Sequence, residues 1–251
     1  MKIAFCGKGG VGKSTIAALL CGALLESGYG VLAIDADPSP HLGRLLGFAE
    51  AESLTPLAEM RDLLAERAEK QGPYYNLNPK IDDLPEKFML KKDGLRLMVL
   101  GAIREAGGGC ACPEQTVLRR LLSFLILQAK EAVVVDMEAG VEHFGRATVV
   151  PMDFILVVAQ PYRGSLETAK QILRLSQELK MERVVVVGNA VRDTEDEAFI
   201  QETLGVEPLV SFPEDREVLL AERKGKSLLE LPGPSREKAR ELVKKLSSYG
   251  T

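Results

Sequence analysis

The chain has 251 residues, 46% of them apolar, no tryptophan, and 32 basic against 36 acidic residues for a net charge of -4. That length buries a sizeable core and fits one α/β domain over 1–251, built on Val, Ile, Leu and Ala as buried parallel sheets tend to be. The charge balance argues against a surface that coats nucleic acid, no stretch approaches the roughly 18 consecutive apolar residues of a membrane span, and MKIAFCGKGG opens without the apolar region of a secretory leader, so a soluble cytoplasmic protein with reduced thiols is expected.

The first apolar run, Lys2–Cys6, reads as a buried strand. It leads directly into GKGGVGKST, Gly7 to Thr15, and then into an apolar stretch that reads as a buried helix, Lys13–Ser27. This is the P-loop spacing G-x-x-x-x-G-K-[ST] in its strand–loop–helix context. Gly7, Gly9, Gly10 and Gly12, with Val11 between them, let backbone N–H groups turn toward one point, where the helix N-terminus adds partial positive charge. Lys13 would reach the β and γ phosphates, the Ser14 hydroxyl would ligate Mg2+, and Thr15 completes the nucleotide-binding loop.

A second strand, Gly30–Ile34, runs into IDADPSPHLG, which carries Asp35 and Asp37. A helix is expected over Thr55–Lys70, an irregular excursion over Gly72–Gly94 and a strand over Leu95–Leu100. GGGCACPEQ follows, then a helix over Glu114–Lys130 and a strand over Ala132–Asp136 that ends in DMEAGVEHFGR. Next come strand Phe154–Ala159, helix Leu166–Leu179 and strand Arg183–Val187, with Asn189 just beyond it. Helices over Thr194–Leu204, Asp215–Lys224 and Ser235–Ser248 complete the pattern, with SFPED around Pro213 between the first two of them. This alternation predicts a doubly wound, mostly parallel α/β sheet flanked by helices, with ligands bound in the loops at the carboxyl ends of the strands.

Cys110 and Cys112 are two of only four cysteines, set one residue apart behind three glycines. Thiolates at i and i+2 can reach one soft metal ion when the backbone is extended or looped, and the glycines supply that freedom. A disulfide between them would close a strained ring. A tetrahedral site wants four ligands, however, and the chain offers few others. Cys6 and Cys21 fall in apolar strand and helix and read as small core residues; His41 and His143 are isolated. A twofold homodimer with Cys110 and Cys112 on its axis would present four thiolates to one metal ion.

Lys8 turns the loop into the deviant form K-G-G-x-G-K-[ST], and here the sequence resembles the MinD, ParA and nitrogenase iron protein superfamily of dimeric ATPases. The resemblance implies ATP-driven dimerisation in which Lys8 crosses to the nucleotide of the partner subunit. It places Asp37 where the switch I aspartate orients the attacking water, Asp136 where the switch II aspartate holds magnesium through water, and Gly140 where a backbone N–H meets the γ-phosphate. Asn189 matches an asparagine that reads adenine, and the loop at Pro213 resembles one that covers the base. The combination of GKGGVGKST, IDADP, C-x-C-P-E and DMEAGVEHFGR is similar to the CooC family, the nickel-insertion ATPases that mature carbon monoxide dehydrogenase. That likeness implies an ATP-hydrolysing metallochaperone using ATP, Mg2+ and Ni2+ (or Zn2+), with Cys110 and Cys112 binding nickel or zinc between the subunits of a homodimer. Its partner would be apo carbon monoxide dehydrogenase or a related nickel enzyme such as acetyl-CoA synthase.

Two rival readings remain open at this point. A MinD- or ParA-type positioning ATPase would act through membrane or DNA, but REKARELVKKLSSYGT carries only small aliphatic residues on its apolar face, which favours packing on the domain. An electron-transfer ATPase like the nitrogenase iron protein shares thiolates across a dimer from cysteines far apart in sequence, unlike the adjacent pair here.

Overall fold

Runs of five to eight residues rich in Val, Ile, Leu and Ala form the inner strands of one sheet. The structure, a computed structural model of the chain, describes residues 1–68, 70–71, 74–75, 79–102, 113–137 and 152–249. In chain order the strands are β1 (Lys2–Cys6), β2 (Val31–Ala36), β3 (Lys70–Gln71), β4 (Tyr74–Tyr75), β5 (Leu90–Lys92), β6 (Leu95–Val99), β7 (Ala132–Met137), β8 (Phe154–Ala159), β9 (Val184–Val191) and β10 (Val210–Pro213). The α-helices among the described residues are α1 (Lys13–Glu26), α2 (Leu42–Leu45), α3 (Arg61–Ala68), α4 (Leu84–Phe88), α5 (Pro113–Gln128), α6 (Arg163–Glu178), α7 (Thr194–Leu204), α8 (Arg216–Arg223) and α9 (Pro234–Ser248).

Eight strands lie in the order β10-β9-β8-β1-β7-β2-β6-β5. All neighbours are parallel except the β5–β6 edge pair, and β3 and β4 form a separate antiparallel ribbon. The order turns at β1: β2 lies on one side of it and β8, β9 and β10 on the other. The loop after β1 therefore opens into the crevice at a topological switch point, where open α/β sheets bind ligands.

Period-two alternation divides the apolar residues between two cores. Ile3, Phe5, Val31, Ala33 and Val134 face α1, α2, α8 and α9, whereas Ala4, Cys6, Leu32, Ile34 and Val135 face α3 to α7. Helix α1 is apolar all round because it is covered twice, by the sheet and by α9, whose Ala239, Leu242, Val243 and Leu246 are buried against it. Each of the three larger side chains there contributes about 1.5–3 kcal/mol by leaving water. Arg236, only 4% exposed, locks the contact by donating to the Leu19 carbonyl and to Glu26. The terminal helix thus packs on the domain, as its small apolar face leads one to expect.

The differences from the sequence reading have local causes. Helix α3 begins six residues later than Thr55 because that residue precedes Pro56, which biases it away from helix; Pro56 itself is extended and a 3-10 turn, Leu57–Glu59, intervenes. The span 72–94 holds more order than expected, with α4 and the edge strand β5 among its described residues. Asp93 and Gly94, both at positive φ, turn β5 back onto β6 as Asp-Gly hairpins do. Strand β10 and the short helix α2 are two further elements that apolar periodicity alone did not show.

Candidate functional site

The loop between β1 and α1 folds over the carboxyl edge of the sheet. Gly7 lies at φ 144°, and a Cβ there would sit 2.5 Å from the Val158 carbonyl oxygen of β8; at Gly12, φ is 92° and a Cβ would meet the Asn189 amide. Glycine is required at both, since an L side chain is strained by the dihedral and blocked by its neighbour. Lys13, 6% exposed, folds back over the loop, its Nζ donating to the carbonyls of Gly7 (3.2 Å) and Lys8 (3.3 Å). These weak bonds hold a cation in the centre of the loop, ready to exchange carbonyls for an anion. Gly9 and Gly10 are exposed at its tip.

Two carboxylates lie beneath the loop. Asp35 and Asp136 are register partners on β2 and β7, both on the α1 side of the sheet and both fully buried. Burial pushes the Asp35 carboxyl up to about 7, with the Asp136 charge adding to it and hydrogen bonds from the Leu42 and Asp37 N–H groups opposing it. Asp136 is raised to about 6, again chiefly by burial, while the Ser14 hydroxyl and the Lys13 charge draw it down and Asp37 pushes it up. Ser14 is therefore close enough to influence Asp136, yet among the described residues neither Asp136 oxygen has a hydrogen-bond partner of ordinary geometry. An orphaned buried carboxylate beside a hydroxyl and an anion cradle fits a hard divalent cation. Magnesium at phosphate sites takes only one or two protein oxygens, so no larger ligand cluster is needed. Among the described residues no group of three or more His, Cys, Asp or Glu is placed to hold a metal.

Asp35 also shapes the next loop. Its Oδ2 accepts from the Leu42 N–H (2.9 Å), the first residue of α2, and its Oδ1 accepts from the Asp37 N–H (3.3 Å). Asp37, half-buried, accepts from Ser39 N–H (2.9 Å) and stands near enough to both buried carboxylates to raise their pKa values. Sequence reasoning named Asp35 without a role; the signal for one was the buried end of an apolar strand followed by a Pro- and Ser-containing turn.

On the other flank a cleft of about 260 Å3 runs beside α1, lined among others by Gly10, Thr15, Leu19, Asn189, Pro213 and Val218. Asn189 Nδ2 donates to the Val11 carbonyl (2.7 Å), joined there by Gln160 Nε2 (3.3 Å), so two amides tie the loop to the ends of β9 and β8. The next residue, Ala190, has φ 53°, a left-handed conformation costly for a non-glycine residue; it kinks β9 beside the cleft. Thr15 Oγ1 donates to Glu222 on α8 (2.9 Å), and Asp215 caps α8 while accepting from the Ser235 N–H at the start of α9. Apolar walls with a few convergent amides and hydroxyls suit a flat heterocycle attached to the phosphate end. Gln160 and Glu222 were missed in the sequence, since a polar residue at the end of a strand or on a surface helix carries no local signature.

Lys8 lies at the rim, its Nζ 5.6 Å from the centroid of the Tyr162 ring. Cys6 and Cys21 are buried in the two cores, and burial pushes the Cys21 thiol far up. His41 is an exposed residue at the start of α2. Cys110, Cys112, Gly140 and His143 lie outside the described residues.

Residues 3–228 match the family model "CobQ/CobB/MinD/ParA nucleotide binding domain". The carbon monoxide dehydrogenase accessory protein CooC of Rhodospirillum rubrum is 39% identical over 249 residues, which is 97% of this chain and 95% of that protein. An uncharacterised ATP-binding protein of Methanocaldococcus jannaschii is 43% identical, with 91% of each chain covered. Among solved structures, the MinD cell division protein of Aquifex aeolicus superposes with a TM-score of 0.69 at 23% identity over 98% of this chain and 96% of that one, a likeness of fold. The chain belongs to the CobQ/CobB/MinD/ParA family of P-loop ATPases and, within it, to the CooC group.

Proposed function

We propose that this family member is a homodimeric ATP-dependent nickel carrier that serves carbon monoxide dehydrogenase or a related nickel enzyme such as acetyl-CoA synthase. The observation that carries the reading is 39% identity, over nearly the full length of both chains, to a carbon monoxide dehydrogenase accessory protein in a chain that also has a Cys-x-Cys pair. In this reading 1–251 acts as a single cytoplasmic ATPase domain.

ATP enters with its phosphates at the P-loop and its base in the cleft. The backbone of Gly7, Gly9, Gly10, Val11 and Gly12 wraps the phosphates, while Lys13 gives up the Gly7 and Lys8 carbonyls to neutralise the β and γ positions. Ser14 and, through water, Asp136 would hold magnesium, which would supply positive charge against the phosphates. Asp37 accepts a hydrogen bond from the attacking water and orients it in line with the γ-phosphate. Thr15 steadies the α-phosphate side, and Asn189 and Pro213 flank adenine. Lys8 reaches across to the partner's nucleotide, so ATP binding and pairing of subunits reinforce each other.

Cys110 and Cys112 of both subunits would complete a four-thiolate site for nickel, or for zinc, which such a site accepts as readily. Loss of the γ-phosphate relaxes the loops after β2 and β7, including Gly140, and the altered pairing opens the metal site. A positioning role like that of MinD is less well supported: the terminal helix that would engage a membrane has its apolar face buried on α1, and no helix among the described residues is long and apolar enough to cross a membrane.

Nickel titration of the pure protein and of a Cys110→Ala, Cys112→Ala double variant tests the metal site; equal binding by both overturns it. Turnover of ATP should drop at least a hundredfold in Lys13→Ala and in Asp37→Ala, on the order of the loss seen when one charge-stabilising or proton-handling group is removed. Unchanged turnover in both variants overturns the catalytic assignment.

A further inference from the structure

Lys8 is half-buried, and the place where its ammonium rests is built by α6 of its own subunit. The Tyr162 ring lies 5.6 Å from Nζ, within reach of a cation–π contact. Gly164, the second residue of α6, leaves the remaining space: a Cβ there would come 2.7 Å from Lys8 Nζ and 3.6 Å from Tyr162 Cε2. Glycine is a poor helix residue, and Gly164 has an ordinary helical conformation that any residue could adopt, so no backbone dihedral demands it. What it supplies is room for the lysine. Tyr162 is pinned by its backbone, its carbonyl accepting from the Ser165 and Leu166 N–H groups as it starts the helix. The Tyr162 ring is thus the contact of the Lys8 ammonium among the described residues.

We infer that Tyr162 and Gly164 form a cradle that parks Lys8 in its own subunit, making them positioning residues that set how much ATP-driven binding energy is needed before the chain pairs with a second copy of itself. The inference rests on the proposed trans role of Lys8. A lysine held over its own tyrosine is unavailable to a partner's phosphates, and pairing must withdraw two of them, one from each subunit. The cradle thereby opposes pairing in the nucleotide-free state and yields when a γ-phosphate offers a stronger contact.

Two opposite changes should then act alike. Gly164→Ala fills the cradle and displaces only the flexible end of Lys8; Tyr162→Ala removes its aromatic wall; Tyr162→Phe keeps the ring. With magnesium and the non-hydrolysed analogue AMPPNP, sedimentation velocity should show half-dimerisation at a protein concentration about tenfold lower in Gly164→Ala and Tyr162→Ala, from about 2–5-fold per released lysine. Tyr162→Phe should match wild type. In the nucleotide-free protein the Lys8 ε-methylene protons should be shifted upfield by the ring current, and that shift should vanish in Gly164→Ala and Tyr162→Ala.

The proposal is overturned if the wild-type shift is absent, or if both alanine variants pair like wild type while Lys8→Ala fails to pair. If the shift is present and Lys8→Ala pairs normally, the cradle stands and the trans role of Lys8 falls.

Discussion

Replacing Asp136 by asparagine should stabilise the ligand-free protein and at the same time remove its response to magnesium and nucleotide. The carboxylate is fully buried without a hydrogen-bond partner among the described residues, and its pKa is lifted from an ordinary 3.8 to about 6. At pH 8 its ionised form therefore costs the fold about 3 kcal/mol relative to the protonated form. An asparagine amide in the same place removes that charge but leaves a polar group to satisfy, worth about 1–3 kcal/mol, so the net gain should be up to about 2 kcal/mol. In a chain of this size, at about 2–4 °C per kcal/mol, that raises Tm by at most about 4–8 °C in calorimetry without ligand. The sign with pH is fixed by linkage. Below about pH 4 the group is neutral in both states; between about 4 and 6 the unfolded chain ionises first while the folded chain keeps its proton, so wild-type stability falls with rising pH and then levels. The advantage of Asp136→Asn should therefore be complete above about pH 7 and disappear between about pH 4.5 and 6, where the carboxylate cost falls to that of the amide. Wild type should gain several degrees with Mg–ATP at pH 8, the variant far less. A variant that is less stable than wild type at pH 8 without ligand, or one that still responds fully to magnesium, would refute the picture of an uncompensated charge waiting for a cation.

Asn189→Ala should free the Val11 carbonyl and loosen the base cleft, weakening ATP binding about tenfold, or about 1.4 kcal/mol, in a fluorescent-nucleotide titration. Arg236→Ala strips a buried guanidinium from Glu26 and the Leu19 carbonyl, and should cost about 2–3 kcal/mol in a denaturant melt. The hydrogen bond from Arg240, and then those from Arg236, hold Glu26 down to about 2, so its contribution is complete above about pH 4.5 and fades as pH falls toward 2. With Glu26 at 40% exposure, solvent screening keeps that acid-labile part to about 1 kcal/mol. A melt midpoint equally sensitive to acid in wild type and Arg240→Ala would show that the pair contributes nothing.

The sheet was legible because its strands are buried on both faces, leaving unbroken runs such as AVVVDM in place of an alternating pattern. The phosphate loop was legible because its glycines answer to backbone geometry that no other residue meets. The edge of the sheet was harder: β5 is short, carries two lysines and is exposed, so its only signal was the Asp-Gly turn behind it. The cleft was harder still. Asn189 was found through its position after the apolar run Arg183–Val187, although β9 extends to Val191 and includes it; the left-handed Ala190 beside it has no such signal, since a single alanine announces no such dihedral. Glu222 meets Thr15 across 207 positions of sequence, a distance over which local pattern has nothing to say.

The packing of α9 on α1 joins the last helix of the chain to the first. During synthesis the N-terminal P-loop sequence is made early, but the outer side of the helix that carries it stays uncovered until residues beyond Pro234 have emerged. A nascent chain stopped at β10 would hold its phosphate-binding motif on a helix wrapped on one side only. The long-range closure is slow to find, as contacts between distant parts of a chain are. Nucleotide should accordingly be captured only once α9 has been made and has docked on α1, which keeps a chain still lacking that helix from consuming ATP.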